Sequence, residues 1–146
     1  MEILVVGTGN EIYNDDGIGI YVLKKLQEFT FSRKVTLISI GTDAFSLLNY
    51  DLGKYQQIII VDGICSGGQE GDLYFIPATR LNSGQRPYSI HDITWYEVLE
   101  MGGLLEKAYL FGVEINTLKM GEEFSPILRE KIDFYAAKLY EKIVEE

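Results

Sequence analysis

Three side chains in this sequence have the chemistry and the setting of a reactive site. Asp16 is the second of an adjacent acidic pair, Asp15-Asp16, in a turn that follows the apolar run Ile3-Leu4-Val5-Val6 and the glycines Gly7 and Gly9. Asp62 directly follows Ile58-Ile59-Ile60-Val61, the most apolar run in the chain. His91 is the only histidine. Two carboxylates and an imidazole form an oxygen/nitrogen ligand set for a divalent metal, with positions left open for substrate. The set permits zinc, nickel, iron or manganese and does not choose among them. A histidine at a helix start lies at the positive end of the helix dipole, which disfavours imidazolium and favours the neutral ring that a metal needs. Each residue also has a purely structural reading. Asp16 can be a first-turn helix carboxylate, Asp62 a paired or hydrated strand-end acid, and His91 a hydrogen-bonded surface residue. Asp15 reads as a helix cap, and Cys65 as a small side chain in a turn with nothing basic beside it to lower its pKa.

These residues need a scaffold that brings them together. Residues 3–6 read as a buried first strand. A helix is expected over about 16–29, with Val22, Leu23, Leu26 and Phe29 on one face and Asn14 or Asp15 as cap. Residues 35–40 alternate and read as strand two, and Thr42-Asp43 can cap a short helix over 44–48. Strand three, over 58–61, has the composition of a strand buried on both faces and is expected to end at Asp62-Gly63. The stretch 63–70 is too short for a parallel crossover, so strand four, 73–76, is expected to run antiparallel to strand three. The polar loop 79–88 is long for a compact domain and therefore a candidate for function. Ser89 and Asp92 form a capping-box-like pair before a helix that carries Ile93, Tyr96 and Leu99 and ends at Gly102-Gly103. Strand five is expected over 107–113, followed by a polar loop over 114–123. Ser125-Pro126 opens a last helix with the stripe Leu128, Ile132, Tyr135, Leu139 and Ile143. The pattern is α/β. Strands one and three are often neighbours in a doubly wound sheet, and the crevice outside their C-terminal ends is where ligands collect. That arrangement would bring Asp16 and Asp62 together, and the long loop could carry His91 to the same place.

Composition narrows the function. With 146 residues and no linker or repeat, the expectation is one domain over 1–146. The formal net charge of −9 makes nucleic acid and anionic membranes poor partners, because phosphate binding depends on lysine and arginine. No apolar run approaches the roughly 18 residues of a membrane span. An acidic Glu2 at the start of a strand is unlike a signal peptide, so a cytoplasmic protein is expected. The lone cysteine excludes an intrachain disulfide and a multi-cysteine zinc site. Gly7-x-Gly9 is followed by Ile12 where a dinucleotide fingerprint needs its third glycine. There is no Walker loop, and no G-x-S-x-G elbow for a serine nucleophile. A peptidase in which Asp16 and Asp62 share a proton stays open.

The ordered motifs resemble those of the hydrogenase maturation endopeptidases, which process the large subunit of nickel-iron hydrogenases. GTGNEIYNDDGIG, from Gly7, is similar to the family's G-x-G-N-x-x-x-x-D-[DE]-G-x-G. Gly41-Thr42 with the Leu47-Leu48 pair, IIIVDGICSGGQEGDLYFI from Ile58, SIHDITWYEVL from Ser89, FGVEI and the late GEEFSP follow in the family's order. The resemblance implies a three-layer fold: a five-stranded, mostly parallel twisted sheet, with strand four antiparallel and helices on both faces. It implies that Asp16, Asp62 and His91 are the metal-binding and catalytic residues, with no general base assigned. Glu11, which stands where the family often has proline or an apolar residue, and Asp15 remain alternatives for the first acid. Cys65 is a possible soft auxiliary ligand.

The expected activity is removal of the C-terminal extension of the large-subunit precursor after nickel insertion. The nickel would be carried by the precursor and recognised by this protein, although another divalent metal could occupy the same site. Two other readings compete with it. One is a metal-recognising maturation chaperone that does not cut. The other is a flavodoxin-like nucleotide- or flavin-binding module, against which the missing phosphate loop argues.

Overall fold

A computed structural model of the chain describes residues 2–9, 17–81, 95–115 and 126–144. Five strands form one sheet: β1 (Glu2–Thr8), β2 (Lys34–Gly41), β3 (Gln57–Ile64), β4 (Leu73–Pro77) and β5 (Ala108–Glu114), in the order β2-β1-β3-β5-β4. The first four positions in that order are parallel, and β4 alone runs antiparallel, against β5. From β1 the chain steps outward to β2 and then returns to β3 on β1's other side, so the direction of winding reverses between β1 and β3.

Alternation along the strands separates two core layers. Ile3, Val5, Ile59, Val61, Phe111 and Val113 meet helices α1 (Ile18–Leu26) and α3 (Pro126–Val144). Leu4, Val6, Ile58, Ile60, Ile64 and Leu110 meet α2 (Trp95–Met101) and the short 3-10 helix Ala44–Asn49. The helix stripes read from the sequence point inward: Val22, Leu23 and Leu26 of α1, and Leu128, Tyr135, Leu139 and Ile143 of α3, are buried, while Phe29 and Ile132 pack partly buried at the margin. Asp43 caps the 3-10 helix, its carboxylate accepting from the Phe45 amide at 3.1 Å.

Some local expectations change. The first residue of α1 is Ile18, and its cap position is held by Gly17, which has no side chain to offer. Asn14 and Asp15, expected there, lie outside the described residues. β3 does not end at Asp62; it runs on to Ile64, because pairing with β5 continues through Gly63–Val113 and Ile64–Glu114. β4 has the antiparallel sense that its short connection demands, yet it is not beside β3. β5 takes that slot because Leu110, Phe111 and Val113 fill both layers, and a strand buried on both faces belongs in the interior of the sheet. β4 is only half-buried along its length and ends in Pro77, which suits an edge.

Tyr135 locks α3 to the turn before β4. Its ring is fully buried, and its hydroxyl donates to the Gly71 carbonyl at 2.6 Å. Burial, with the charges of Asp72 and Glu70 adding to it, pushes this phenol up to about 12 from 10.0. The unfolded chain loses that proton near 10.0 and the folded chain near 12. The stabilisation is therefore complete below the first value and lost as pH rises through the second. We expect Tyr135→Phe to lower stability by about 0.5–1.5 kcal/mol near neutral pH. The variant should also show a shallower alkaline loss across this window, measured as urea midpoints against pH. Equal midpoints at neutral pH would remove the hydroxyl from any stabilising role.

Candidate active site

The C-terminal ends of β1 and β3 form one edge of the sheet, and local chemistry holds them in register. A register shift after Gly7 pairs Thr8 with Gly41, and the Gly9 amide donates to the Gly41 carbonyl at 2.9 Å. The Thr8 hydroxyl turns the other way and donates to the Val61 carbonyl at 3.2 Å. This bond stitches the end of β1 to β3 one residue before Asp62.

Helix α1 approaches the same seam unusually closely. A Cβ added to Gly19 would lie 2.1 Å from the Val61 carbonyl oxygen and 2.7 Å from that of Thr8. Only a bare α carbon fits there. Ile18, one residue earlier, packs over Gly63, where an added Cβ would come within 3.1 Å of its methyl group. The start of α1 thus sits on the backbone that carries Asp62.

Asp62 is buried, with 8% of its surface exposed. It follows Ile58 and Ile60 in strand alternation and precedes Ile64, so it projects on the face that α2 covers. It is the polar member of a row of isoleucines. Across the sheet on that face it is opposite Gly112 of β5, which offers no side chain to crowd it. A carboxylate in this position carries a desolvation cost that a leucine would not.

The other two residues expected at the site, Asp16 and His91, lie outside the described residues, as do Glu11 and Asp15. Among the described residues no group of three or more His, Cys, Asp and Glu side chains could hold a metal ion. Asp62 alone supplies one hard oxygen donor, which suits a divalent cation only as a member of a larger set. Cys65 is exposed on the turn after β3, and its thiol donates to the Ile115 carbonyl at 3.5 Å.

One polar residue at this edge was missed in the sequence. Glu114 reads there as the start of a polar loop, but it is the last residue of β5 and only 1% exposed. Its carboxylate accepts from the Ser66 amide at 2.8 Å, the Ser66 hydroxyl at 2.5 Å and the Tyr74 hydroxyl at 3.2 Å. The available signal was Ile115, an apolar residue after Glu114 that prolongs the alternation of Phe111 and Val113 into the buried layer.

A parallel sheet that reverses at β1/β3, with a buried carboxylate at the C-terminal end of β3, is the arrangement of an α/β protein with a switch-point site. Comparison with known proteins makes the class specific. The family model described as hydrogenase maturation protease matches residues 20–146. The HupD protein of Bradyrhizobium diazoefficiens, a hydrogenase expression/formation protein, is 27% identical over 89% of this chain and 71% of its own. The hydrogenase maturating endopeptidase HybD from E. coli superposes with a TM-score of 0.80, at 25% identity over 98% of this chain and 92% of that one. The [NiFe] hydrogenase maturation protease HycI from Thermococcus kodakarensis has the same fold, with a TM-score of 0.81 at 22% identity over 99% and 93%. The chain belongs to the hydrogenase maturation protease family and is a peptidase. Among its described residues no helix is long and apolar enough to cross a membrane.

The close approach at Gly19 carries a prediction of sign. In an ordinary helix interior, glycine to alanine is stabilising by up to about 1 kcal/mol. Here Gly19→Ala drives a methyl group into backbone carbonyls and should destabilise by roughly 1–3 kcal/mol, read by urea unfolding. A stabilised Gly19→Ala protein would show that α1 does not rest on the β1–β3 seam.

Proposed function

We propose that this peptidase removes the C-terminal extension of a nickel-iron hydrogenase large-subunit precursor once nickel has been inserted. The observation that carries the reading is the buried carboxylate of Asp62 at the β1/β3 crevice, in a chain of the hydrogenase maturation protease family. Asp16 and His91 are assigned with it as the site. Asp16 immediately precedes Gly17 and α1 in the chain, and His91 precedes α2, the helix on the face toward which Asp62 projects. In this reading the nickel is part of the substrate. It arrives with the precursor, and Asp16, Asp62 and His91 are the residues that would complete its ligand set. A divalent metal beside a scissile amide polarises the carbonyl or lowers the pKa of a water. What the chain itself contributes is a rigid oxygen donor at a fixed place: Asp62 is held in a paired strand, on the face of the sheet lined by Ile58, Ile60 and Ile64.

The test is cleavage of nickel-loaded and nickel-free precursor, followed by intact mass. Loss of a C-terminal peptide from the loaded form alone is expected. Cleavage of both forms would discard the nickel requirement, and cleavage of neither would overturn the peptidase reading for that precursor. Asp62→Asn keeps the size of the side chain and removes its charge. It should lower kcat by roughly a hundredfold or more with little change in Tm. Asp16→Ala and His91→Ala should lose activity in the same way. A fully active Asp62→Asn protein would sink the site assignment.

A ligand set completed only by the precursor's own metal is incomplete in the isolated protein. Titration calorimetry with nickel or zinc should therefore give weak binding. Tight stoichiometric uptake would argue for a resident metal instead.

A further inference from the structure

Glu114 is a buried carboxylate that the proposed chemistry leaves without a role. Its three donors all come from the segment that follows Asp62: the amide and hydroxyl of Ser66, and the hydroxyl of Tyr74 in β4. The chain folds back directly over this carboxylate. A Cβ on Gly68 would lie 2.4 Å from the Tyr74 hydroxyl and 2.9 Å from a Glu114 oxygen, so the bare backbone of Gly68 is laid against the anion. Residues 65–69 are nevertheless exposed on their outer side. The result is a solvent-facing turn, anchored from beneath by a buried charge, that begins three residues beyond Asp62.

The fold does not require this anchor. β3 and β5 are already paired out to Ile64 and Glu114 by backbone bonds, and the Ile115 amide donates to the Ile64 carbonyl at 2.8 Å. The base of the turn is closed separately, with the Gly71 amide on the Glu114 carbonyl at 2.9 Å and the Gln69 amide on the Asp72 carboxylate at 3.0 Å. The backbone of Asp62 is held by the same β3–β5 pairing, opposite Gly112. What the Glu114 carboxylate determines is the shape of the exposed turn, at the sheet edge where ligands collect.

We propose that Glu114 is a positioning residue for substrate recognition: its carboxylate holds the 65–68 turn, the exposed wall that begins three residues beyond Asp62, in the shape that receives the precursor's polypeptide. This inference rests on the peptidase reading above. A preformed wall lowers the ordering cost of binding, so its loss weakens substrate binding and leaves the bond-breaking step intact.

The experiment uses the full chain as wild type, Asp62→Asn, Glu114→Ala, Glu114→Gln and Ser66→Ala. The kcat and KM for the nickel-loaded precursor are measured, together with the rate at which Ellman's reagent labels Cys65, the only cysteine and a reporter on the turn itself. Glu114→Ala should raise KM about tenfold, with kcat within about threefold of wild type. Glu114→Gln, which keeps an acceptor for the Ser66 amide, should recover most of that loss. Ser66→Ala removes one donor without disturbing the core and should move KM the same way by a smaller factor, which keeps the test open if Glu114→Ala fails to fold. Cys65 should label severalfold faster in Glu114→Ala than in wild type or Glu114→Gln. A merely destabilised protein would lose active concentration, seen as lower apparent kcat at unchanged KM, and that pattern would overturn the inference. So would an unchanged KM in all three variants at Glu114 and Ser66. If wild type cleaves no precursor, the peptidase reading fails by itself and the thiol rates still decide the anchor: faster labelling in Glu114→Ala supports it, and equal rates overturn it.

Discussion

Gly19 rests its α carbon on the carbonyl oxygens of Val61 and Thr8, closer than any side-chain-bearing residue could come. Those two carbonyls belong to different strands, so one contact sets the height of α1 over the β1–β3 seam. The Thr8 hydroxyl bond to Val61 closes the same seam from within the sheet. With β2 on one side of β1 and β3 on the other, the winding reverses at this point, the place where switch-point sites form in α/β sheets. If α1 were lifted, the end of β3 and the carboxylate it carries would lose their backing together.

Two carboxylates at this edge are buried in different ways. Glu114 is enclosed and met by three protein donors, which satisfies a buried acceptor and makes it an anchor. Asp62 continues an apolar row, opposite Gly112, and keeps a small contact with solvent. The glycines divide along the same lines. Gly19 permits a helix to touch the strand backbone, and Gly68 permits a turn to lie on an anion. Neither position needs its glycine for a left-handed conformation; both need the missing methyl group.

The peptidase class and the geometry support each other in a limited and definite way. Family membership says what kind of reaction the chain carries out, and the described residues show one carboxylate, Asp62, buried in a paired strand near the C-terminal end of β3. The proposed role of Glu114 would give the turn after β3 a purpose beyond connecting strands. That turn begins three residues beyond Asp62, is exposed, and is stiffened by a group that the sheet itself does not require.

Much of this was legible in the amino-acid order. The runs at 3–6 and 58–61 announce interior strands, the stripes of α1 and α3 announce their buried faces, and the short 63–70 connection dictates the antiparallel sense of β4, because these are local properties of spacing and chain length. That Asp62 would stand out was also legible, because a carboxylate directly after an apolar run must be paired, hydrated or liganded, and the structure shows it buried. The remainder needed the folded chain. Which strand lies beside β3 depends on comparing β4 with β5 for burial on both faces, a competition between segments far apart in sequence that no local pattern encodes. The same pairing extends β3 past Asp62 and draws Glu114 inside, where it meets Ser66 and Tyr74. Residue types told which groups were capable of chemistry; only long-range strand pairing decided that Glu114 became a buried anchor and that Asp62 stands on the face beneath α2.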